Sequence, residues 1–189
     1  MSVPAAELAV EGLTIRFGGL TAVDDMTFEV RKGEVLSLIG PNGAGKTTAF
    51  NAVTGYIEPA AGAIVYRGTH LNQLKSHQIA ALGVVRTFQK TSVFTGRSVH
   101  DNVLIGLHLR SKQRPLAILF GMPSVGREER QLAEDASEVL RFVGLEARVR
   151  HVASSLPYGD LRLLEVAVAL AAKPKLLLLD EPVSGMNPV

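Results

Sequence analysis

Hydrophobic and polar positions change their rhythm along this chain. Near the start, Leu13, Ile15 and Phe17 alternate with polar residues, which predicts a strand with one buried face. Gly18 and Gly19 break that run, and Met26, Phe28 and Val30 resume it as a second strand. Arg31-Lys32-Gly33-Glu34 reads as a hairpin turn, and the apolar run of residues 35–39 (VLSLI) as a buried strand behind it. Residues 46–53 are predicted helical, with Gly55 placed to cap the C-terminus. A turn at residues 59–62 precedes a short strand at residues 63–66. Ser76 is a candidate N-cap for a helix reaching about Leu82, which Gly83 ends. Residues 84–88 then form a strand that leads straight into Gln89.

From Ser98 to Gly144 the period is helical: Val99, Val103, Leu104 and Leu107 recur on one face, as do Leu132, Ala136, Val139, Leu140 and Val143. Between these helices, residues 113–126 (QRPLAILFGMPSVG) fit a loop, a short helix or a docking surface. Residues 161–172 form another predicted helix, stopped by Pro174. Residues 176–179 (LLLL) read as a buried strand of a parallel sheet.

Composition narrows the class. With 47% apolar residues in 189, the chain can bury a substantial core. A net charge of +2, with no basic cluster carrying interleaved aromatics, argues against a nucleic-acid partner. The absence of cysteine excludes disulfides and thiolate metal sites. No signal peptide opens the chain and no apolar run reaches membrane-spanning length, so a soluble protein is expected, linked to a membrane only through a partner.

Residues 40–48, GPNGAGKTT, carry the chemistry. They fit G-x-x-x-x-G-K-[ST], a loop whose backbone N–H groups curl inward around phosphate oxygens. Gly40, Pro41, Asn42, Gly43, Ala44 and Gly45 would form the cradle, with Lys46 reaching the outer phosphates. Thr47, followed by Thr48, would offer a hydroxyl to Mg²⁺, and the helix N-terminus would add its partial positive charge. A plain glycine turn needs neither the Lys-Thr pair nor a buried strand before it. A second constellation stands at Asp180-Glu181, an acidic pair delivered by the end of a hydrophobic strand. Beside a P-loop, Asp180 would hold Mg²⁺ through water, and Glu181 would orient or deprotonate the attacking water. In isolation the same pair would read as a helix cap.

These residues are similar, in order, to the ATP-binding subunits of ABC transporters from about Leu8 to the last residue. The aromatic Phe17, the P-loop, RTFQ ending in Gln89, LPYGD at the signature position, LLLLDEP and SGMNP all fall in the family's order. RTFQ, the tyrosine of LPYGD, the insert beginning NVLIGLH and the NP after the D-loop most resemble the ATPases of branched-chain amino acid importers. The resemblance implies an α/β P-loop NTPase core, its mostly parallel sheet extended by N-terminal antiparallel strands, with an inserted helical subdomain. Residues 1–95 would form the first part of the core, 96–172 the helical subdomain with the signature, and 173–189 the Walker B strand and D-loop.

The resemblance further implies ATP and Mg²⁺ as cofactors, with Phe17 stacking on adenine, although alternation alone also explains an aromatic there. Gln89 would contact Mg²⁺ or the attacking water. Tyr158 and Gly159 would close over the ATP of a second ATP-binding subunit in a head-to-tail dimer. Pro157 stands where the common signature has serine and Tyr158 where it has glycine, while Asn187 replaces the usual D-loop aspartate. Permease subunits would be the membrane partners, a periplasmic binding protein an indirect one. The location would be cytoplasmic, peripheral on the inner face of the cell membrane. Residues 90–122, with Val93, Phe94, Leu116, Ile118, Leu119 and Phe120, would receive a helix of the permease. The family's switch histidine belongs beyond Val189, and all five histidines precede Asp180. The chain thus reads as a fragment or a shortened copy, with no ATP turnover expected of residues 1–189 alone. A lipid or lipopolysaccharide exporter ATPase and a non-catalytic nucleotide-binding copy are the alternative readings.

Overall fold

The computed structural model describes residues 6–87, 93–107 and 123–180. The chain divides into two compact units, Met1–Val84 and Val85–Val189.

In the first unit, β1 (Leu8–Phe17) pairs antiparallel with β2 (Leu20–Val30) and with β3 (Ala61–Tyr66), and β4 (Thr69–His70) extends the sheet in the order β2-β1-β3-β4. The predicted alternation is present, but it changes phase. Leu8 and Val10 are buried, then Leu13 and Ile15. The register shift between Val10 and Leu13 inserts one extra residue, so the same face stays buried on both sides of the bulge. On β2, Met26, Phe28 and Val30 alternate with exposed neighbours as predicted. Phe17 and Leu20 close the hairpin around Gly18-Gly19, with Phe17 49% exposed.

Helix α1 (Lys46–Val53) has the predicted bounds and buries Ala49, Ala52 and Val53. Gly55 follows its end in the left-handed conformation, its N–H donating to Ala52 O at 3.1 Å. Helix α2 (Ser76–Ala81) is present, but its N-cap is Lys75. Ser76 is the first helical residue, and its hydroxyl donates to Gly55 O at 3.0 Å, tying the two helix ends together instead of capping. The larger correction falls on residues 35–39. They form no strand, and Val35 and Ile39 are each 93% exposed. The turn before them does form, with Glu34 N–H donating to Arg31 O at 3.0 Å. A hydrophobic run becomes a strand only when a neighbour takes its hydrogen bonds, and no described strand lies on this one.

In the second unit, α3 (Val99–Leu107), α4 (Pro123–Phe142) and α5 (Tyr158–Ala171) pack around Val99, Val103, Leu107, Ala136, Leu140, Leu164, Ala167 and Ala171. The two helical faces read from the sequence are thus the ones that meet. Gly106 lets α3 and α5 approach: a Cβ there would stand 2.5 Å from Val168 O. Helix α5 starts at Tyr158, earlier than expected, with Pro157 at its N-cap and Leu161 N–H donating to Pro157 O at 3.0 Å. Proline suits a helix start, where its missing N–H costs no bond. Strands β5 (Val84–Arg86) and β6 (Leu176–Leu178) form a two-stranded sheet. Strand β6 is less buried than its sequence suggests: Leu178 is buried, and Leu179 is 38% exposed. Residues 116–120 of the insert lie outside the described residues.

Candidate functional site

The glycine-rich loop is shaped by its own backbone. Gly43 and Gly45 both take φ 84°, and Ala44 N–H donates to Pro41 O at 3.2 Å. Gly45 is fixed by contact as well as conformation, since a Cβ would lie 2.6 Å from Ala22 O and 2.9 Å from Val23 Cγ2. It is also the N-cap of α1 and supplies no side-chain cap, while Ala49 N–H returns to Gly45 O at 2.8 Å. The first turn of α1 holds no acidic residue. Its N-terminal N–H groups are therefore available to an anion, in the manner of phosphate-binding helix starts.

Lys46 Nζ folds back onto the loop, donating to Gly40 O at 2.7 Å and Pro41 O at 2.9 Å. These carbonyls hold the ammonium over the ring of backbone that a phosphate chain would enter. Pro41, Asn42, Gly43 and Ala44 are exposed, and Thr47 and Thr48 half-buried at the head of the helix. The P-loop set from Gly40 to Thr48 is thus assembled in one place. Phe17 stands at a hairpin tip of the same unit, its ring half-exposed rather than packed into the sheet.

In the second unit, Asp180 follows β6 and is itself buried. Asp180 N–H donates to Thr87 Oγ1 at 3.2 Å, Thr87 N–H to Leu178 O at 3.0 Å, and Arg86 Nη2 to Asp180 Oδ2 at 2.6 Å. Tyr158 and Gly159 open α5. The Arg162 side chain reaches back one turn, its Nη2 and Nε donating to Tyr158 Oη at 2.6 and 2.9 Å, with Arg162 Cζ 5.0 Å from the ring centroid. Arg162 Nη1 also bonds Glu165 Oε2 at 2.7 Å, and the bonds to Glu165 and then Tyr158 raise the guanidinium pKa. The phenol is thereby held at the start of α5.

Gln89 and Glu181 lie outside the described residues, as does the SGMNP segment. Among the described residues no group of three or more His, Asp or Glu side chains could hold a metal ion. Thr47 at the head of α1 offers a hydroxyl in the first unit and Asp180 after β6 a carboxylate in the second, each the kind of hard oxygen that Mg²⁺ accepts beside its waters. Sequence reasoning missed Arg86, Arg162 and Asn102. Asn102 is 1% exposed, accepts from Phe94 N–H at 2.7 Å and donates to Phe94 O and Ser98 O at 3.1 and 2.9 Å. Arg86 lay in plain view within RTFQ; what hid it was that its partner is 94 residues away.

A glycine-lined phosphate loop opening a helix, joined to antiparallel strands, and a helical unit with a carboxylate ending a strand define a P-loop NTPase. Residues 23–184 match the ABC transporter family. A curated relative from Salmonella typhimurium, the high-affinity branched-chain amino acid transport ATP-binding protein LivG, is 44% identical over 181 residues, covering 96% of this chain and 71% of its own. BraF of Pseudomonas aeruginosa, which carries the same description, is 43% identical over 188 residues, covering 100% of this chain and 73% of its own. Among solved structures, the ADP conformation of MJ1267, an ATP-binding cassette of an ABC transporter, superposes with a TM-score of 0.81 at 32% identity, covering 97% of this chain and 72% of that one. The chain belongs to the ABC transporter family, and its fold is that of the family's nucleotide-binding ATPase domains. No described helix is long and apolar enough to cross a membrane.

Proposed function

We propose that this chain is the ATP-hydrolysing subunit of an importer for branched-chain or related amino acids. The observation that carries the substrate class is the 44% identity, over 96% of the chain, to a transport subunit described for those substrates. Bound ATP with Mg²⁺ would supply the transferable γ-phosphoryl group and the charge neutralisation that its transfer needs. Gly40 to Thr48 would bind the phosphates, with Lys46 leaving its two carbonyls to reach them. Thr47 and Asp180 would hold the magnesium, the latter through water. Glu181 would take the proton of the attacking water, Gln89 would contact that water or the metal, and Phe17 would stack on adenine.

Tyr158 and Gly159, at a helix start with unspent N–H groups, would close over the nucleotide of a second ATP-binding subunit. Permease subunits would be moved through the region around Phe94, which is 55% exposed. The subunit would then lie on the inner face of the membrane, with a periplasmic binding protein delivering substrate to the permeases. The test is uptake of radiolabelled leucine by cells lacking this gene. Uptake is expected to fall, to return with the wild-type gene and to stay low with Glu181→Gln. Unchanged uptake on deletion would overturn the importer assignment.

A further inference from the structure

Strand β5 ends in a charge that binding a nucleotide does not call for. Arg86 Nη2 meets Asp180 Oδ2 at 2.6 Å, and the two side chains are 6% and 5% exposed. An ion pair this dry gives little stability over a well-packed apolar pair, because both charges lose their water. Its geometry is the more informative property. Thr87 N–H bonds Leu178 O at 3.0 Å and Asp180 N–H bonds Thr87 Oγ1 at 3.2 Å, so the backbones carrying the two charges are stitched side by side. A latch that swings away would not be fastened at both its roots. The pair is a fixed fitting of the strand ends.

We propose that Arg86 is a positioning residue for the metal-holding carboxylate: by gripping Oδ2 it sets the rotamer of Asp180 and reserves Oδ1 for the water shell of magnesium. The proposal rests on the reading of Asp180 given above. A guanidinium is planar, with its donors in a fixed fork, so it fixes direction where a lysine would supply charge alone. Lysine at this position separates orientation from charge. Groups that orient a metal ligand in this way typically alter metal affinity about 10–100-fold when replaced.

The experiment follows the affinity of a fluorescent ATP analogue across a magnesium titration, for wild type, Arg86→Lys, Arg86→Gln and Asp180→Asn. Arg86→Lys is expected to raise the magnesium concentration at half-effect about tenfold. Binding in EDTA should stay at the wild-type level, because the phosphate loop makes its own bonds. A cooperative melt confirms that each variant is folded, and if Arg86→Gln fails that check, Arg86→Lys decides. A folded Arg86→Lys with the wild-type magnesium titration, where Asp180→Asn shifts it, would overturn the role of Arg86 alone. An Asp180→Asn titration identical to wild type would instead remove Asp180 as the metal ligand.

Discussion

The phosphate loop and the end of β6 are positioned by different means. The loop is built from backbone: two glycines at φ 84°, a Cβ-free contact with Ala22 O, and a lysine bonded to carbonyls five and six residues back. Asp180 is placed by side chains, through Arg86 and Thr87, which are 94 and 93 residues away. The 94–98 turn belongs to the second kind, since three hydrogen bonds of Asn102 hold it. A backbone-built site survives changes to its reactive side chain, because the side chain is not what gives it shape. A site built by side chains loses shape and chemistry together.

Lys46→Ala tests the first half of that contrast and should have the largest effect. In a form of the protein that turns ATP over, removing a charge aimed at the transferring phosphate lowers ATPase activity by about a hundredfold or more. The fold should hardly notice, since among the described residues Lys46 bonds only carbonyls of its own exposed loop. Substitutions of that kind usually change stability by less than about 0.5 kcal/mol. ATPase assay and urea melting on the same preparation check both. A large loss of stability would show that the ammonium shapes the loop, and the contrast would fail.

Asn102→Ala tests the second half. The side chain is almost fully buried, so its loss leaves Phe94 N–H without its partner, whereas Phe94 O and Ser98 O keep the backbone N–H groups of Arg97 and Asn102. A buried group left unsatisfied costs about 1–3 kcal/mol, and a loss in the lower part of that range is expected because a single N–H is orphaned and the 94–98 turn can relax toward water. Affinity for an ATP analogue should be unchanged in the folded fraction, as no P-loop bond involves this residue. A melt indistinguishable from wild type would show that the turn is held by its backbone after all.

The same division explains what could be read from the sequence. The P-loop, the bounds of α1 and the paired faces of α3 and α4 follow from spacing within a few residues, which a sequence displays directly. The run at 35–39 was misread because hydrophobicity records a wish for burial, whereas strand formation depends on a neighbour found elsewhere in the chain. The bulge near Gly12 escaped notice because the alternation of β1 looks regular on either side of it. Arg86 and Asn102 were passed over as an ordinary cation and an ordinary amide. Only their distant or turn-forming partners give them meaning, and those partners carry no local signature.

The smallest effect should come from Tyr66→Phe, which asks whether a backbone-built sheet needs a buried polar tip. Tyr66 is 2% exposed on β3, and its hydroxyl has no hydrogen-bond partner among the described residues. An unsatisfied buried group costs about 1–3 kcal/mol, so its removal should be neutral or slightly stabilising at neutral pH. Burial, and then the charge of Glu7, push the phenol pKa up, with Arg67 opposing. Above about pH 10 the unfolded chain therefore gives up this proton while the folded chain keeps it. Stability conferred by the phenol is fully present below that pH and falls as the pH rises toward the folded value. Tyr66→Phe removes this slope, so its advantage over wild type should widen in alkaline urea melts. Parallel loss of stability in the two proteins above that pH would show that Tyr66 does not titrate differently on unfolding, and that its hydroxyl is better accommodated than its surroundings indicate.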